Sequence, residues 1–371
     1  MTRESLSPTA QEVAEKDNRV RGFLSSQRLS ALVLTTQANF AWFTCGGDSH
    51  VGIGTDLGSV SLVTTPDAKY IVCDNIEAPR ILDEELAGQD FEFKTYNWWE
   101  SSSADEIAKL AKGPVGADTP IAGTRLLGSE IAQLRYSLTG PEVERYRWLG
   151  KTSGECIAES GREIRPGMTE HEIAASLAGK LTARGVIPNL ILIAADERIE
   201  KYRHPIPTDR KLDRCAMLVI GAKKWGLVVS VTRIVHFGPI PAELRRKHEA
   251  VMTVDAEMIA HTRPGTSVDY IFRKGMEAYA RAGFPDEWKL HHQGGPTGYA
   301  GRDYRAKPGI KDIVHVNQAF AWNPSITGTK SEDTVIALED RTEILSAHGE
   351  WPMRPVEVES LVVSRPEILQ V

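Results

Sequence analysis

Short apolar runs alternate with helical stretches in the N-terminal third of the chain. The segments LSALVLTT (29–36), GSVSLVTT (58–65) and AKYIVCD (68–74) are rich in β-branched residues and are bounded by Gly, Pro or Asp, which is typical of strands. AQEVAEKDNRVRGFLSSQ and EIAKLAK have the apolar spacing of helices. The pattern predicts an α/β domain that ends near Gly140, because Pro141 is well placed in the first turn of a new helix.

The rest of the chain contains one structural unit twice. RPGMTEHEIAASLAGKLTARG (165–185) and RPGTSVDYIFRKGMEAYARAG (263–283) both open with Arg-Pro-Gly, place Thr or Ser before a helix and end on Gly. A long amphipathic helix precedes each segment and strands follow it, first as a hairpin with its turn at 221–224, then in 315–338. We expect the two halves to pair their sheets and leave a cleft, the usual place for a small-molecule site.

Composition and charge narrow the function classes. The chain has 371 residues, 41% hydrophobic and 25% charged, with a net charge of −6, which argues against nucleic acid or an anionic membrane as a partner. No apolar run reaches the ~18 residues of a membrane span, and no secretory signal is visible. The four cysteines lie far apart without a CxxC pair. We therefore expect a cytoplasmic protein of about two domains that acts on a small-molecule substrate.

Five motifs, in order, resemble the pita-bread family of creatinase, prolidase, Xaa-Pro aminopeptidase and methionine aminopeptidase. They are RPGMTEHEIA, HPIPTDRKL, GAKKWGLVVSVTR, HHQGGPTGY and KSEDTVIAL, and they lie between Gly140 and about Leu345. The resemblance implies an α+β fold: a pita-bread catalytic domain with internal duplication at 139–371, preceded by a smaller α/β creatinase-type domain at 1–138. It also implies a homodimer.

Most members of that family hold two divalent metals with two Asp, one His and two Glu. Carried over motif by motif, the five positions are Val219, Ser230, Gly295, Asn323 and Glu332, so only the last ligand is retained. Valine offers no lone pair and glycine no side chain, while Ser and Asn are weak neutral donors. Because a divalent cation needs several N, O or thiolate ligands, we predict no dinuclear metal site and no cofactor.

Two residues are candidates for catalysis. His204, in KYRHPIPT, aligns with the histidine that the resemblance assigns to proton transfer in the metal-free member, creatinase, and an imidazole suits acid–base work near neutral pH. The glutamate that matches Glu332 in creatinase looks like a holder of the cationic guanidinium group of the substrate. The alternative is a partly exposed strand carboxylate, or an ion-pair partner of Lys330 or Arg233. A second creatinase glutamate falls on Thr232, so the guanidinium clamp is incomplete in this chain.

Substrate-binding candidates come from the loops that the resemblance places near the site. The glycine-rich segment HHQGGPTGYAGRDYR allows close approach to a ligand, and its arginines suit a carboxylate. In two-domain members, the segment that contains NFAWFTCGGDSHVGIG reaches the active site of a partner subunit; aromatic packing is the alternative. The candidates are Tyr202, Arg203, Ser230, Thr232, His291, His292, Tyr299, Arg302, Asp303, Arg305, Asn323, Trp42 and His50. A single-metal site rebuilt from His291, His292, Asp303 and Glu332 is a further alternative.

These residues favour a metal-independent, creatinase-like hydrolase that acts on a C–N bond of a small polar substrate. A bound metal lowers the pKa of water from 15.7 to about 7. A histidine acting alone contributes about 10²–10⁴-fold, which suits an electrophile that is already polarised. The alternatives are a metal-free lyase or isomerase, a non-catalytic binding module and, last, an Xaa-Pro metallopeptidase.

Overall fold

In the computed structural model, which describes residues 9–86 and 88–371, the chain forms two compact units. The first contains the described residues up to Arg135, with 139–142 and 225–227. The second contains 136–138, 143–224 and 228–371. The sequence predicts a single domain boundary after residue 138.

The first unit is built on a six-stranded mixed sheet. Its elements are α1 (Ala10–Gln27), β1 (Ala31–Thr36), α2 (Gln37–Phe43), β2 (Leu57–Thr64), β3 (Lys69–Asp74), α3 (Ala78–Arg80), a π-helical turn (Ile81–Glu85), β4 (Glu92–Tyr96), α4 (Ser103–Leu110), β5 (Val115–Ala117), β6 (Arg125–Leu126) and α5 (Gly128–Gln133). The strand order is β4-β3-β2-β1-β5-β6. Val33, Val63 and Val72 form part of its apolar core, as expected for β-branched strand residues. The predicted α/β character is confirmed.

From residue 140 onward, helices pack against two four-stranded sheets. The elements are α6 (Gly140–Glu163), α7 (Glu170–Ala183), β7 (Ile187–Ala195), α8 (Glu197–Lys201), β8 (Cys215–Lys224), β9 (Leu227–His236), α9 (Ala242–His261), α10 (Val268–Arg281), a 3₁₀ turn (Glu287–Leu290), β10 (Gly294–Thr297), β11 (Gln318–Trp322), β12 (Ser325–Ile326), β13 (Thr329–Lys330), β14 (Asp333–Ala337), β15 (Thr342–Ile344), β16 (Met353–Val358), β17 (Leu361–Pro366) and β18 (Leu369–Gln370). The sheets have the orders β18-β9-β8-β7 and β10-β11-β14-β15. Among the described residues, no helix has the length and apolar character required to cross a bilayer.

The two Arg-Pro-Gly turns make the same backbone contacts in the two halves. The N–H of Gly167 donates to the carbonyl of Leu212, and the N–H of Gly265 donates to the carbonyl of Val314, both at 2.8 Å. Each turn leads directly into the second helix of its half, α7 or α10. The duplication predicted from the sequence is therefore confirmed, with equivalent hydrogen bonds as well as equivalent helices.

The hairpin of β8 and β9 turns later than the sequence predicts. Residues 221–223 continue β8 and pair with β7, so the predicted turn at 221–224 was wrong. The turn is made by Trp225 and Gly226, which have φ values of 52° and 77°. Two consecutive residues with positive φ are typical of a type I′ turn, whose twist matches that of the flanking strands.

Strand β9 is the place where the two sheets meet. The N–H of Thr232 donates to the carbonyl of Glu332 at 3.1 Å, and the N–H of Ser230 donates to Thr334 Oγ1 at 2.8 Å. Because alternate residues of a strand share a face, Ser230 and Thr232 both lie on the side that contacts the second half.

Candidate active site

Glu332, directly before β14, is the centre of a buried charge cluster. Its carboxylate accepts hydrogen bonds from Lys330 Nζ at 2.7 Å and Thr232 Oγ1 at 2.7 Å, and from Arg302 Nη2 at 3.0 Å. Burial raises the pKa of Glu332, but the charges of Lys330 and Arg302 outweigh this effect and hold the pKa at about 2. The carboxylate is therefore ionised at neutral pH. We call these four residues the Glu332 cluster.

The negative charge of Glu332 is already neutralised by side chains of the protein itself. The sequence predicts that this carboxylate holds a cationic nitrogen of the substrate, whereas both of its oxygens already accept bonds from cationic side chains. The alternative stated from the sequence, an ion pair between Glu332 and Lys330, is present in the structure, and Lys330 is only 5% exposed. This contact is local, because side chains two residues apart in an extended segment lie on the same face. Two cations on one carboxylate leave one positive charge in the cluster, which favours an anionic group on the ligand.

Three imidazoles form a histidine group beside this cluster. His204 lies in the loop after α8, and His291 and His292 follow the 3₁₀ turn. One ring nitrogen from each residue lies within 4.8 Å of the other two, and His204 Nε2 is 3.3 Å from His291 Nε2. His291 is buried, His292 is half-buried and His204 is exposed. The structure thus brings together three of the residues that the sequence singled out.

Burial lowers the pKa of each residue in the histidine group, and neighbouring cations lower it further. For His291, burial and then Lys330 reduce the pKa to about 2. For His292, burial and then Arg302 reduce it to about 4. The pKa of His204 also falls below 6.5, through partial desolvation of its otherwise exposed ring and then the charge of Lys330. All three imidazoles are consequently neutral at pH 7 and can accept a hydrogen bond or a proton.

The side chains at the five ligand positions of the family do not fit a pair of divalent metals. Val219 is a buried apolar residue of β8, and Ser230 Oγ accepts a hydrogen bond from Arg302 Nη1 at 3.2 Å. At Gly295, where φ is +150°, a Cβ atom would lie 2.5 Å from the carbonyl oxygen of Tyr304. Asn323 offers only a neutral amide, and the fifth position, Glu332, is bound by two cations. These cations would also repel a metal ion.

The alternative single-metal site differs from the arrangement in the structure. The sequence grouped His291 and His292 with Asp303 and Glu332. Within the described ranges, the group of three or more close donor atoms consists of the histidine group instead. Neutral imidazoles are suitable ligands for zinc. However, Lys330 lowers the pKa of all three histidines, and the same positive charge opposes binding of a divalent cation.

Arg203 is occupied by an internal ion pair. Its Nη2 donates to Glu287 Oε2 at 2.9 Å and to Thr327 Oγ1 at 2.9 Å, and the N–H of Thr327 donates to the same carboxylate oxygen. The pair fastens the loop that carries His204 to the second half of the duplicated unit. Arg203 is therefore placed to hold this loop, and the predicted contact with substrate would require the ion pair to open. Its neighbour Tyr202 is 48% exposed.

The other predicted residues of the second unit lie in different surroundings. Arg305 is exposed, and its charge lowers the pKa values of His204 and His292. Tyr299 is 3% exposed. The N–H of Asp303 donates to the carbonyl of Pro296 at 2.9 Å. Contact of these residues with a substrate stays a prediction.

Trp42 and His50 belong to the first unit. Trp42 is fully buried and stacks on Phe43 with ring centroids 6.0 Å apart, which agrees with the packing alternative. His50 is partly exposed, with Nδ1 2.6 Å from Asp48 Oδ1. A role for either residue in the site of a partner subunit stays a prediction.

The duplicated halves and the preceding α/β unit define a pita-bread protein of the two-domain type. The chain belongs to metallopeptidase family M24, whose model matches residues 144–344, more than half of the chain. An uncharacterized peptidase of Staphylococcus saprophyticus is 21% identical over 349 residues, which cover 88% of this chain and 97% of that protein. The resemblance stated from the sequence motifs is confirmed.

Solved structures of the same fold include enzymes and a subunit of a larger complex. The Xaa-Pro dipeptidase from Bacillus anthracis has a TM-score of 0.77 and 15% identity, covering 97% of this chain and all (100%) of that chain. The N-terminal domain of the FACT complex subunit SPT16 from Cicer arietinum has a TM-score of 0.70 and 12% identity, covering 91% and 97%. At these identities, the likeness concerns the fold.

Proposed function

We propose that this protein is a metal-independent, creatinase-like hydrolase that cleaves a C–N bond of a small polar substrate. The observation that carries the proposal is a neutral, exposed imidazole, His204, beside a buried cluster with an excess of positive charge. Membership of a peptidase family supports hydrolysis. The side chains at the ligand positions of the family support a reaction without a metal, since Val219 and Gly295 provide no donor atom.

The proposed mechanism uses His204 for both proton transfers. The imidazole accepts a proton from water as the water oxygen forms its bond with the substrate carbon. The C–N bond then breaks, and the imidazolium returns the proton to the leaving nitrogen. Lys330 and Arg302 stabilise negative charge on the substrate or at the reacting carbon, and Glu332 holds these two cations in place.

The variant His204→Ala tests this mechanism. We expect kcat to fall by about 10²–10⁴-fold, as for loss of a general base. The denaturation midpoint should change little, because the side chain is exposed. Turnover is measured by mass spectrometry on a substrate found in a metabolite screen. Persistent activity in the variant, or activity of the wild type that depends on a stoichiometric metal, would reject the proposal.

Isotope labelling separates hydrolysis from the lyase and isomerase alternatives. In ¹⁸O-labelled water, a hydrolase places the label in its product, whereas elimination or isomerisation does not. An unlabelled product would therefore assign the protein to the lyases or isomerases, with His204 still acting as the group that transfers the proton.

A non-catalytic binding module is the second candidate. It is favoured by the structural likeness to a domain of a FACT complex subunit, a protein that works within an assembly. This candidate predicts that no metabolite is consumed and that His204→Ala leaves the binding partners unchanged. The cytoplasmic location and the homodimer stay predictions, and light scattering tests the latter.

A further inference from the structure

The ring of His204 is hydrogen-bonded to a second imidazole. The Nε2 atoms of His204 and His291 are 3.3 Å apart, and the rings meet edge to face with centroids 5.1 Å apart. On its far side, His291 Nδ1 is 3.3 Å from Ser325 Oγ. Ser325 and His291 are 2% and 7% exposed, so a short chain of polar groups runs from the interior to the exposed ring of His204.

Two arrangements of protons satisfy this chain. In the first, Ser325 donates to His291 Nδ1, His291 Nε2–H donates to His204 Nε2, and His204 carries its proton on Nδ1. In the second, His204 Nε2–H donates to His291 Nε2, and His291 Nδ1–H donates to Ser325 Oγ. Only the second leaves a lone pair on His204 Nδ1, the nitrogen on the opposite edge of the ring from His291.

We propose, building on the function above, that His291 is a positioning residue whose Nε2 accepts the Nε2–H of His204 and so presents His204 Nδ1 as the base. An exposed histidine in a loop would otherwise sample several rotamers and both tautomers. The Ser325 hydroxyl holds the ring of His291 from the other side. The proton taken up in the reaction enters and leaves at His204 Nδ1, so that His291 itself neither gains nor loses a proton.

Two further features agree with this assignment. Burial and the charge of Lys330 keep the pKa of His291 at about 2, so this ring remains a neutral acceptor. The loop of His204 is fastened by the ion pair between Arg203 and Glu287 at 2.9 Å, which fixes the backbone while His291 fixes the ring. Catalytic side chains need such support from neighbouring groups to keep a productive geometry.

Three substitutions of His291 distinguish its contact with His204 from its contact with Ser325. The amide oxygen of His291→Gln reaches about as far as Nε2 and can accept the proton of His204. The shorter His291→Asn reaches Ser325 but not His204. His291→Leu has neither contact. We expect the Asn and Leu variants to lose about 10²-fold in kcat with little change in KM, and the Gln variant to retain most of the activity.

Nitrogen-15 NMR of the histidine side chains provides a readout that needs no substrate. At pH 8, the wild type should show His204 protonated at Nε2, His291→Gln should keep this tautomer, and His291→Leu and His291→Asn should give a mixture. His292→Leu is the matched control: it removes a neighbouring imidazole, and the tautomer of His204 should not change. If the Leu variant does not fold, the tautomer of His204 is compared between the Gln and Asn variants alone.

Each outcome bears on one proposal. A wild-type His204 protonated at Nδ1, or an unchanged tautomer in both His291→Asn and His291→Leu, would overturn the role of His291. If the tautomers behave as expected but His204→Ala remains active, the assignment of His291 as the partner of His204 stands and the proposed function fails.

Discussion

Glu332 and Asp333 are adjacent in the chain, yet they lie on opposite faces of the same segment, and each accepts hydrogen bonds from two cationic side chains. Asp333 is held by Arg233 at 2.9 Å and by Arg365 at 2.8 Å, all three with no exposed side-chain surface. Arg365 also contacts Asp255 at 2.6 Å. On this core face, two arginines are therefore matched by two aspartates.

On the face that carries Glu332, the described part of the chain provides one carboxylate for two cations. Lys330 and Arg302 share one partner, and the side chain of Arg302 remains 15% exposed. The same arrangement, a carboxylate between two cations, thus has different consequences on the two faces. With balanced charge and full burial it joins parts of the core. With one positive charge in excess and a route to solvent, it forms a candidate binding site.

The largest effect is expected on the core face. Asp333→Asn leaves Arg233 and Arg365 with one aspartate between them, and breaking a buried ion pair in this way costs about 3–5 kcal/mol of unfolding free energy. Urea denaturation measures the loss. Asp340→Asn, at a side chain that is 73% exposed, is the control and should stay within about 0.5 kcal/mol of the wild type. A loss below about 1 kcal/mol for Asp333→Asn would show that the ion pairs of this face do not stabilise the core.

On the site face, Glu332→Gln should reduce activity more than stability. The neutral amide no longer holds Lys330 and Arg302, so we expect kcat/KM to fall by about 10²-fold or more. The unfolding free energy should fall by about 1–3 kcal/mol, less than for Asp333→Asn, because Arg302 can turn toward solvent. Kinetics and urea denaturation on the same preparations test both parts. Equal destabilisation by the two variants would remove the distinction between the faces.

The smallest of these effects concerns pH and His248. Its Nδ1 is 2.7 Å from Thr329 Oγ1, its Nε2 is 2.9 Å from the carbonyl of Pro366, and burial lowers its pKa to about 4. Between pH 6.5 and 4 the unfolded chain binds a proton here that the folded chain does not, so stability falls as pH decreases. The loss from pH 7 to pH 5 is about 2 kcal/mol for this group.

The variant His248→Gln should lose less stability than the wild type over the same pH range. Denaturation midpoints at pH 7 and pH 5 provide the measurement, and the contributions of the other histidines cancel in the difference. An identical pH dependence in both proteins would show that His248 is not the group responsible.

The sequence predicted the fold better than it predicted the contacts of the site. Strands and helices follow from local apolar periodicity, and the paired Arg-Pro-Gly segments reveal the duplication because each copy repeats a local pattern. The partners of the site residues are not local. Thr232 and Glu332 are 100 residues apart, and Arg203 and Glu287 are 84 apart. No periodicity indicates which distant side chain will face another, so Arg203 was expected to bind substrate and the contact of Arg302 with Glu332 was not anticipated.

The backbone at Gly295 makes the histidine ligand of the family difficult to introduce into this chain. The motif resemblance assigns that histidine to this position, but any side chain here would meet the carbonyl oxygen of Tyr304 and, at 3.0 Å, the amide nitrogen of Ala306. The substitution Gly295→His alone would therefore clash with the backbone unless the segment 304–306 moved. Engineering a dinuclear metal site here would thus have to reshape this loop before it replaced the side chains.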